Sequence, residues 1–209
     1  GDPRLCGDSE DCLELPTTET IGSVAMAPVG DMAMLYTTAE LTDRVTIWDR
    51  TAGTFDVKRL EKPVDQVIMA PDGESAVVVH TLADVEGADD LFADAYAMTV
   101  VDVVSWITNP VGLERRPRRW STTPDGRYSM FIMDDNLNVG VIDYVTRLVD
   151  DVSVPSMPLF LGMLPLDEGA EQNLGWVSQD HDIGRISFVR PSDLSVETVT
   201  GFELNSGID

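Results

Sequence analysis

The chain has 209 residues with 43% hydrophobic content, and its 37 acidic against 14 basic residues give a net charge of −23 at pH 7. This length can bury a sizeable core, and the hydrophobic content argues against a disordered chain. Nucleic acids and anionic membrane surfaces are bound mainly through Lys and Arg, so the charge argues against both as partners. No segment approaches the ~18 apolar residues of a membrane span, which argues against membrane insertion.

The polar N-terminal lead-in, residues 1–12, contains both cysteines, Cys6 and Cys12. A small-loop disulfide and a pair of free thiols are both compatible with this spacing. A disulfide requires an oxidising compartment. On that interpretation we expect an extracellular or cell-envelope (periplasmic) location. Residues 13–15 then alternate as a short strand does.

A ten-residue sequence motif recurs along the rest of the chain. Residues 24–33 return as residues 67–76 and as residues 120–129, and a degenerate copy lies at residues 164–170. The prolines at their turns are 43, 53 and 41 residues apart. Each copy of the motif combines a short strand of alternating apolar and polar residues with a turn, and three further strand-like segments follow it. The sequence therefore predicts four units, at approximately 22–62, 63–115, 116–156 and 157–205.

In chain order, the predicted strands are 24–27, 32–36, 45–49 and 55–60; 67–70, 76–80, 98–102 and 111–114; 120–123, 128–133, 139–143 and 148–154; 159–164, 174–178, 186–190 and 196–200. The apolar run at 76–79 is typical of a strand buried on both faces, whereas residues 55–60 alternate with charge. Four antiparallel strands per unit make one sheet, and sheets of this kind build a core by stacking on their neighbours.

Two segments carry a family resemblance. Met69-Ala70-Pro71-Asp72-Gly73 resembles the Ser-Pro-Asp-Gly turn of WD40-like and YVTN-like β-propeller repeats, and Ile47-Trp48-Asp49 resembles the end of their third strand. The resemblance covers the segment 13–209, although the Gly-His pair of well-formed WD40 repeats is missing. It implies an all-β propeller with about four blades of four antiparallel strands each.

The predicted strands at the two ends of the chain do not complete a closed ring. Residues 13–15 occupy the place of a fourth strand before the first unit, yet the last unit keeps its own fourth strand at 196–200. A ring that closes by lending one terminal strand needs only one of these two. We therefore expect the blades to be part of a larger ring, completed by a longer chain or by pairing with another chain.

Two polar segments have residue types that bind calcium. The insertion 84–94 carries five carboxylates, but it lacks the spacing of a calcium loop. Asp134, Asn136 and Asn138 alternate as in Asp-x-Asn-x-Asn loops, yet Gly140 falls one place late. The sequence therefore favours a solvated acidic loop and a polar hairpin. No cofactor is predicted, and calcium is the alternative.

The predicted partner-binding residues are Arg115, Arg116, Arg118, Arg119 and Trp120. The four arginines are a large share of the chain's 14 basic residues. Arginine beside an aromatic residue is a composition enriched at interface hot spots. The ordinary explanation is that these arginines pair with acidic residues on neighbouring loops. Phosphate binding is disfavoured because the surrounding charge is negative.

Signals for catalysis are weak. The sequence has no Gly-x-Ser-x-Gly elbow, no His-rich metal spacing and no phosphate-binding Gly loop. His80 follows an apolar run and is interpreted as a strand-end or core residue, and His181 is expected in a hairpin loop. No catalytic residue and no metal ligand are assigned.

Three functions remain open. The leading interpretation is a non-enzymatic binding or scaffolding module that meets a protein partner, or the remaining blades of its own propeller, through its rim loops. The alternative is a propeller hydrolase or lactonase-like enzyme that uses a divalent cation in the central channel, for which polar residues of several blades must converge. The third is a structural repeat that self-associates.

Overall fold

The computed structural model describes residues 22–83, 92–164 and 173–201, which contain sixteen strands in four sheets. The strands of the first two sheets are β1 (Ser23–Met26), β2 (Met32–Tyr36), β3 (Arg44–Asp49), β4 (Thr54–Arg59), β5 (Val64–Met69), β6 (Ser75–His80), β7 (Tyr96–Asp102) and β8 (Ile107–Leu113). Those of the other two are β9 (Pro117–Thr122), β10 (Tyr128–Met133), β11 (Asn138–Asp143), β12 (Leu148–Ser153), β13 (Pro158–Met163), β14 (Gly175–Gln179), β15 (Arg185–Arg190) and β16 (Ser195–Thr200).

Each group of four consecutive strands forms one antiparallel meander, which we call blades 1 to 4 in chain order. The first strands lie innermost, because β1 contacts β5 and β9 contacts β13 across neighbouring blades. The fourth strands lie outermost, and most side chains of β4, β12 and β16 are exposed or half-buried. The predicted all-β propeller architecture of four blades is therefore confirmed. Residues 1–15, with both cysteines and the predicted short strand, lie outside the described residues.

Three apolar clusters form the core, one between each pair of successive blades. Adjacent residues of β6 belong to different clusters, since Val78 packs between blades 1 and 2 while Val77 packs between blades 2 and 3. Successive side chains of a strand point to opposite faces of its sheet, so an inner strand supplies two clusters at once. Each valine buried in this way stabilises the fold by ~1.5–3 kcal/mol. The continuous apolar run of this strand is thus explained.

A β-bulge interrupts the first strand of blades 2, 3 and 4. The register with the second strand shifts by one residue, which leaves Asp65, Arg119 and Leu159 as the extra residues. A bulge breaks the alternation of side chains between the two faces. The strands predicted to begin at 67 and 120 therefore begin three residues earlier, at Val64 and Pro117.

Strand β8 is also longer than predicted, since it begins at Ile107 rather than near 111. Pro110 lies in the middle of the strand and pairs with Thr99. An outermost strand tolerates proline because the missing N–H is not needed on its solvent side.

The turns after the first strands of blades 1, 2 and 3 pack against one another. Gly30 lies beside the backbone of Gly73, and Gly126 lies beside Asp72. Gly73 has φ +76°, and a Cβ built there would approach the carbonyl oxygen of Val29 to 2.6 Å. The repeated turn is therefore a point of contact between blades. We call this end of the array the turn rim.

Aspartates at the ends of third strands cap the turns that lead to the fourth strands. Asp49 Oδ1 accepts a hydrogen bond from the Ala52 N–H at 2.8 Å, and Asp102 Oδ1 accepts one from the Ser105 N–H at 2.9 Å. Asp143 does the same for Val145. Asp49, which ends the Ile47-Trp48-Asp49 segment, thus caps the turn that follows its strand. Within the three described ranges, no helix has the length and apolar content of a membrane span.

Candidate functional site

An open cleft of about 600 Å³ lies between blades 2 and 3, at the starts of their first strands. Its lining residues are Asp65, Gln66, Ile68, Arg116, Pro117, Arg118, Arg119, Trp120 and Asp134. The first strands run from this end to the turn rim, so the cleft lies at the opposite end, which we call the arginine rim. Four of the five predicted partner-binding residues meet here. Arg115 is exposed in the bend before β9 and does not line the cleft.

Two of the arginines are paired with carboxylates. Arg116 Nη2 lies 2.7 Å from Asp65 Oδ2 of blade 2, and Arg118 Nε lies 2.8 Å from Asp134 Oδ1. The hydrogen bond from Arg116 to Asp65 raises the pKa of the Arg116 guanidinium. Exposed pairs of this kind stabilise a fold by less than ~1 kcal/mol. Their effect is to position the two guanidinium groups at the mouth of the cleft.

Arg119 has a different environment. It is the extra residue of the β9 bulge and has φ +50°, and its guanidinium lies 4.1 Å from the ring centroid of Phe160 in blade 4. Phe160 is 50% exposed. A guanidinium over an aromatic face is attracted to the ring and keeps its N–H donors at the edges. No carboxylate among the described residues pairs with Arg119. The bulge therefore presents one guanidinium and one half-exposed ring together.

Trp120 forms the floor of the cleft. Its ring stacks on Phe131 with centroids 4.7 Å apart and an interplanar angle of 29°. Phe131 is buried and lies over Gly140 of β11. The tryptophan is thus held by the core between blades 2 and 3. Its position depends on a glycine in the next strand.

The sequence pattern missed Asp65 and Phe160. Both lie in other blades than the arginines, so nothing in the local sequence places them near β9. The repeat does not supply this contact either, because the counterpart of Arg119 in blade 4 is Leu159, the extra residue of the β13 bulge.

The suggested calcium loop at 134–140 has other contacts. Asp134 pairs with Arg118, Asn136 Oδ1 accepts the Asn138 N–H at 2.8 Å, and Asn138 Oδ1 accepts the Ser153 hydroxyl at 2.7 Å. These bonds are those of a polar hairpin. Over the described parts of the chain, no three His, Cys, Asp or Glu side chains are grouped to hold a metal ion.

The acidic insertion falls largely outside the described residues, which resume at Phe92. Its base is held by Lys62, which is only 2% exposed. The Lys62 ammonium donates to the carbonyl oxygens of Leu82, Phe92 and Ala95 at 3.1, 2.8 and 3.0 Å. Charge-assisted hydrogen bonds of this kind compensate the burial of the ammonium. The insertion therefore leaves the fold at the arginine rim, on the same side as the cleft.

Carboxylates at the turn rim serve the turns. Asp125 accepts hydrogen bonds from Thr123, the Arg127 N–H and Asn173, which hold the pKa of its carboxyl below the usual range although burial alone would raise it. Asp72 Oδ1 accepts the Glu74 N–H at 3.0 Å. Nearby, burial raises the pKa of Tyr144 to about 12, and its hydroxyl bonds to Ser129. These contacts cap turns and satisfy buried hydroxyls.

The two histidines have different environments. His181 lies in the β14–β15 loop, where its Nε2 is 2.9 Å from the Arg185 guanidinium. His80 is 3% exposed; its Nδ1 lies 3.2 Å from the Pro63 oxygen and its Nε2 lies 2.7 Å from the Thr99 hydroxyl. A carbonyl oxygen can only accept, so Nδ1 carries the proton and Nε2 accepts from Thr99. Burial lowers the pKa of His80 to about 4.

This shift predicts a dependence of stability on pH. Between pH 6.5 and 4 the unfolded chain binds a proton at His80 and the folded chain does not, so stability falls as the pH falls through this window. We expect His80 to remove about 2 kcal/mol between pH 7 and pH 5. Urea unfolding at both pH values measures this loss. His80→Gln should reduce it; an unchanged loss in His80→Gln would contradict the assignment.

Comparisons with known proteins support the fold. No family model matches the chain, and no curated protein matches it in sequence. Among solved structures it is similar to a eukaryotic initiation factor (TM-score 0.61, 11% identity, 90% of this chain and 46% of that chain). It is also similar to AztD from Citrobacter koseri (TM-score 0.51, 12% identity, 86% and 46%). A third is the β-propeller domain of Cps50 (Swd1) from Myceliophteria thermophila (TM-score 0.48, 13% identity, 86% and 57%).

These identities show the fold alone. The chain spans about half the length of the solved structures that it matches. It is a β-propeller module, and the WD40-like or YVTN-like family assignment stays a prediction. So does the extracellular or cell-envelope location.

Proposed function

We propose that this propeller module is a non-enzymatic binding module that takes up a segment of a protein partner in the cleft of the arginine rim. The observation that supports it is the pair Arg119 and Phe160, a guanidinium without a carboxylate partner among the described residues and a ring that is 50% exposed. Phe160 lies beside the cleft, against Arg119, and does not line it. Arg and aromatic side chains are the usual anchors of protein interfaces. The paired Arg116 and Arg118 form its polar edge.

The chemistry of the cleft selects the kind of segment. A guanidinium binds a carboxylate through two parallel hydrogen bonds, and Phe160 and Trp120 offer apolar surface beside it. The net charge of −23 repels an extended acidic tract. The partner segment therefore carries one carboxylate next to an apolar or aromatic side chain. Basic residues of the partner are not favoured, because they could pair with Asp65 and Asp134 only by displacing Arg116 and Arg118.

A library of random linear peptides displayed on phage tests the proposal. We expect selection on the whole chain to enrich peptides with a single Asp, Glu or C-terminal carboxylate beside an apolar residue. A synthetic copy of an enriched peptide should bind Arg119→Ala and Phe160→Ala at least tenfold more weakly, a loss of ~1.4 kcal/mol or more. Fluorescence titration measures the dissociation constants.

Matched variants make the result specific. Arg50→Ala removes an exposed arginine at the turn rim and should leave the affinity unchanged. Arg119→Lys keeps the charge but loses the planar fork, so it should also weaken binding. Because Ala and Lys, like Arg, have a Cβ, none of these changes relieves the backbone at φ +50°. Enriched peptides that bind Arg119→Ala as tightly as the parent chain would refute the proposal.

A further inference from the structure

Among the described residues, two faces of the array have no neighbouring blade, whereas every internal face has one. Within the chain, the forward face of each blade packs on the back face of the next blade. The back face of blade 1 and the forward face of blade 4 have no such partner among the described residues. Val24 of blade 1 is 52% exposed, whereas Val67, at the same position relative to the turn proline of blade 2, is 6% exposed. The difference comes from the missing neighbour.

The back face of blade 1 is apolar from its inner to its outer strand. The register places Val24 and Met26 of β1 on this face together with Trp48 of β3 and Phe55 and Val57 of β4. Met26 is 48% exposed and Val57 is 50% exposed, and Trp48 stacks on Phe55 with centroids 5.8 Å apart. Soluble monomers rarely expose a contiguous apolar surface of this kind.

The forward face of blade 4 also has apolar side chains on every strand, with Arg190, Ser195 and Glu197 beside them. The register aligns Phe160 of β13, Trp176 of β14, Ile186 and Phe188 of β15, and Val199 of β16 on it. Val199 is 44% exposed. A depression of about 230 Å³ lies beside Phe188. Trp and Phe are residue types enriched where protein surfaces associate.

We infer that these two faces dock on each other in a second copy of this chain. The uncovered surfaces are one forward face and one back face, which is the combination that forms all three internal cores. A second copy supplies a back face for the forward face of blade 4 and a forward face for the back face of blade 1. The contact is heterologous, and a two-fold arrangement closes it, so that no face stays open.

The size of the resulting ring supports this occupant. Two copies of four blades give eight blades, which is within the range of ~4–8 blades of known propellers. Phe160 is common to the forward face and the candidate site, so the variants that test the inference, at Val57 and Val199, are chosen outside the cleft.

Light scattering on a sizing column tests the inference with the whole chain. We expect a mass of twice 22.9 kDa at micromolar concentration. Both copies carry a charge of −23, so added salt should tighten the dimer by screening their repulsion. A monomer at 100 μM in 0.5 M salt, or a mass that keeps rising with concentration, would overturn the closed ring.

Single charged substitutions locate the interface. Val57→Lys on blade 1 and Val199→Asp on blade 4 should each weaken the dimer at least tenfold. Val145→Asp, in an exposed turn outside both faces, is the control and should leave the dimer intact. Circular dichroism and thermal unfolding check that each variant is folded. A dimer that persists in Val57→Lys or in Val199→Asp would overturn the inference.

Mixing the two variants identifies the type of contact. Each variant keeps one intact face, and in a head-to-tail arrangement the intact forward face of Val57→Lys meets the intact back face of Val199→Asp. We therefore expect the mixture to contain a mixed dimer that neither variant forms alone. No association on mixing, with both single variants monomeric and the parent chain dimeric, would show that the contact is not head-to-tail.

Discussion

Gly140→Ala is expected to lower the free energy of unfolding by about 3 kcal/mol, the upper end of the cost of overpacking a core. A Cβ at this position would overlap three atoms of the Phe131 ring. Phe131 is 1% exposed and cannot move outward, because it stacks on Trp120. Urea denaturation of the parent chain and of the variant measures the loss.

Two further variants show that the ring is the cause. Gly112→Ala is the matched control in another strand, where a Cβ would meet only ordinary contacts at 3.4 Å and beyond, so we expect a change of less than ~0.5 kcal/mol. Phe131→Leu makes room for the new methyl group. The double variant should therefore be more stable than the sum of the two single losses allows. Additive losses would contradict the argument.

Gly140→Ala should also change the shape of the candidate cleft. Trp120 lines the cleft and rests on Phe131. A Phe131 ring displaced by the added methyl group moves the floor on which peptide binding depends. We expect Gly140→Ala to weaken the selected peptide even where the variant is still folded, whereas Gly112→Ala should not.

Gly73→Ala is the second large effect, and we expect a loss of about 3 kcal/mol. The left-handed conformation at φ +76° costs ~1–2 kcal/mol for a residue with a Cβ. The methyl group would also lie 2.6 Å from the Val29 carbonyl oxygen of the neighbouring blade. That oxygen belongs to the backbone, so relief requires the two turns to move apart.

Gly53→Ala separates the two contributions. Gly53 has φ +65°, and nothing lies within 4 Å of a Cβ built there. Its substitution therefore costs only the conformational term of ~1–2 kcal/mol. The excess loss in Gly73→Ala reports the contact between the turns of blades 1 and 2. Equal losses in the two variants would show that this contact contributes nothing to stability.

The architecture could be predicted from the sequence because its signals are local and repeated. Alternation over four to seven residues and a turn at Pro28, Pro71 and Pro124 each depend on neighbours in the chain. Four copies of the pattern reinforced one another. The strand starts at Val64 and Pro117 were missed because a bulge removes the alternation on which the prediction depends.

The candidate site could be predicted only in part. Four arginines stand out in an acidic chain, so their local sequence was sufficient to find them. Their roles were not predictable: Arg116 is fixed by a carboxylate of blade 2 and Arg119 by a ring of blade 4. Gly140 shows the same limit. In the sequence it falls one place late for a calcium loop, while the structure places it under the Phe131 ring, a contact that only the pairing of β10 with β11 creates.

Lys62 makes the stability of blade 2 largely independent of the length of the insertion. Its ammonium bonds to carbonyl oxygens on both sides of the insertion, those of Leu82 and Phe92. The two ends of the loop are thus fastened to the fold whatever sequence joins them. Closing a longer loop costs little, only ~0.6 kcal/mol for each doubling of its length. The insertion is therefore the place where this propeller can accept a foreign peptide or a whole domain, and where evolution can lengthen the chain without rebuilding a blade.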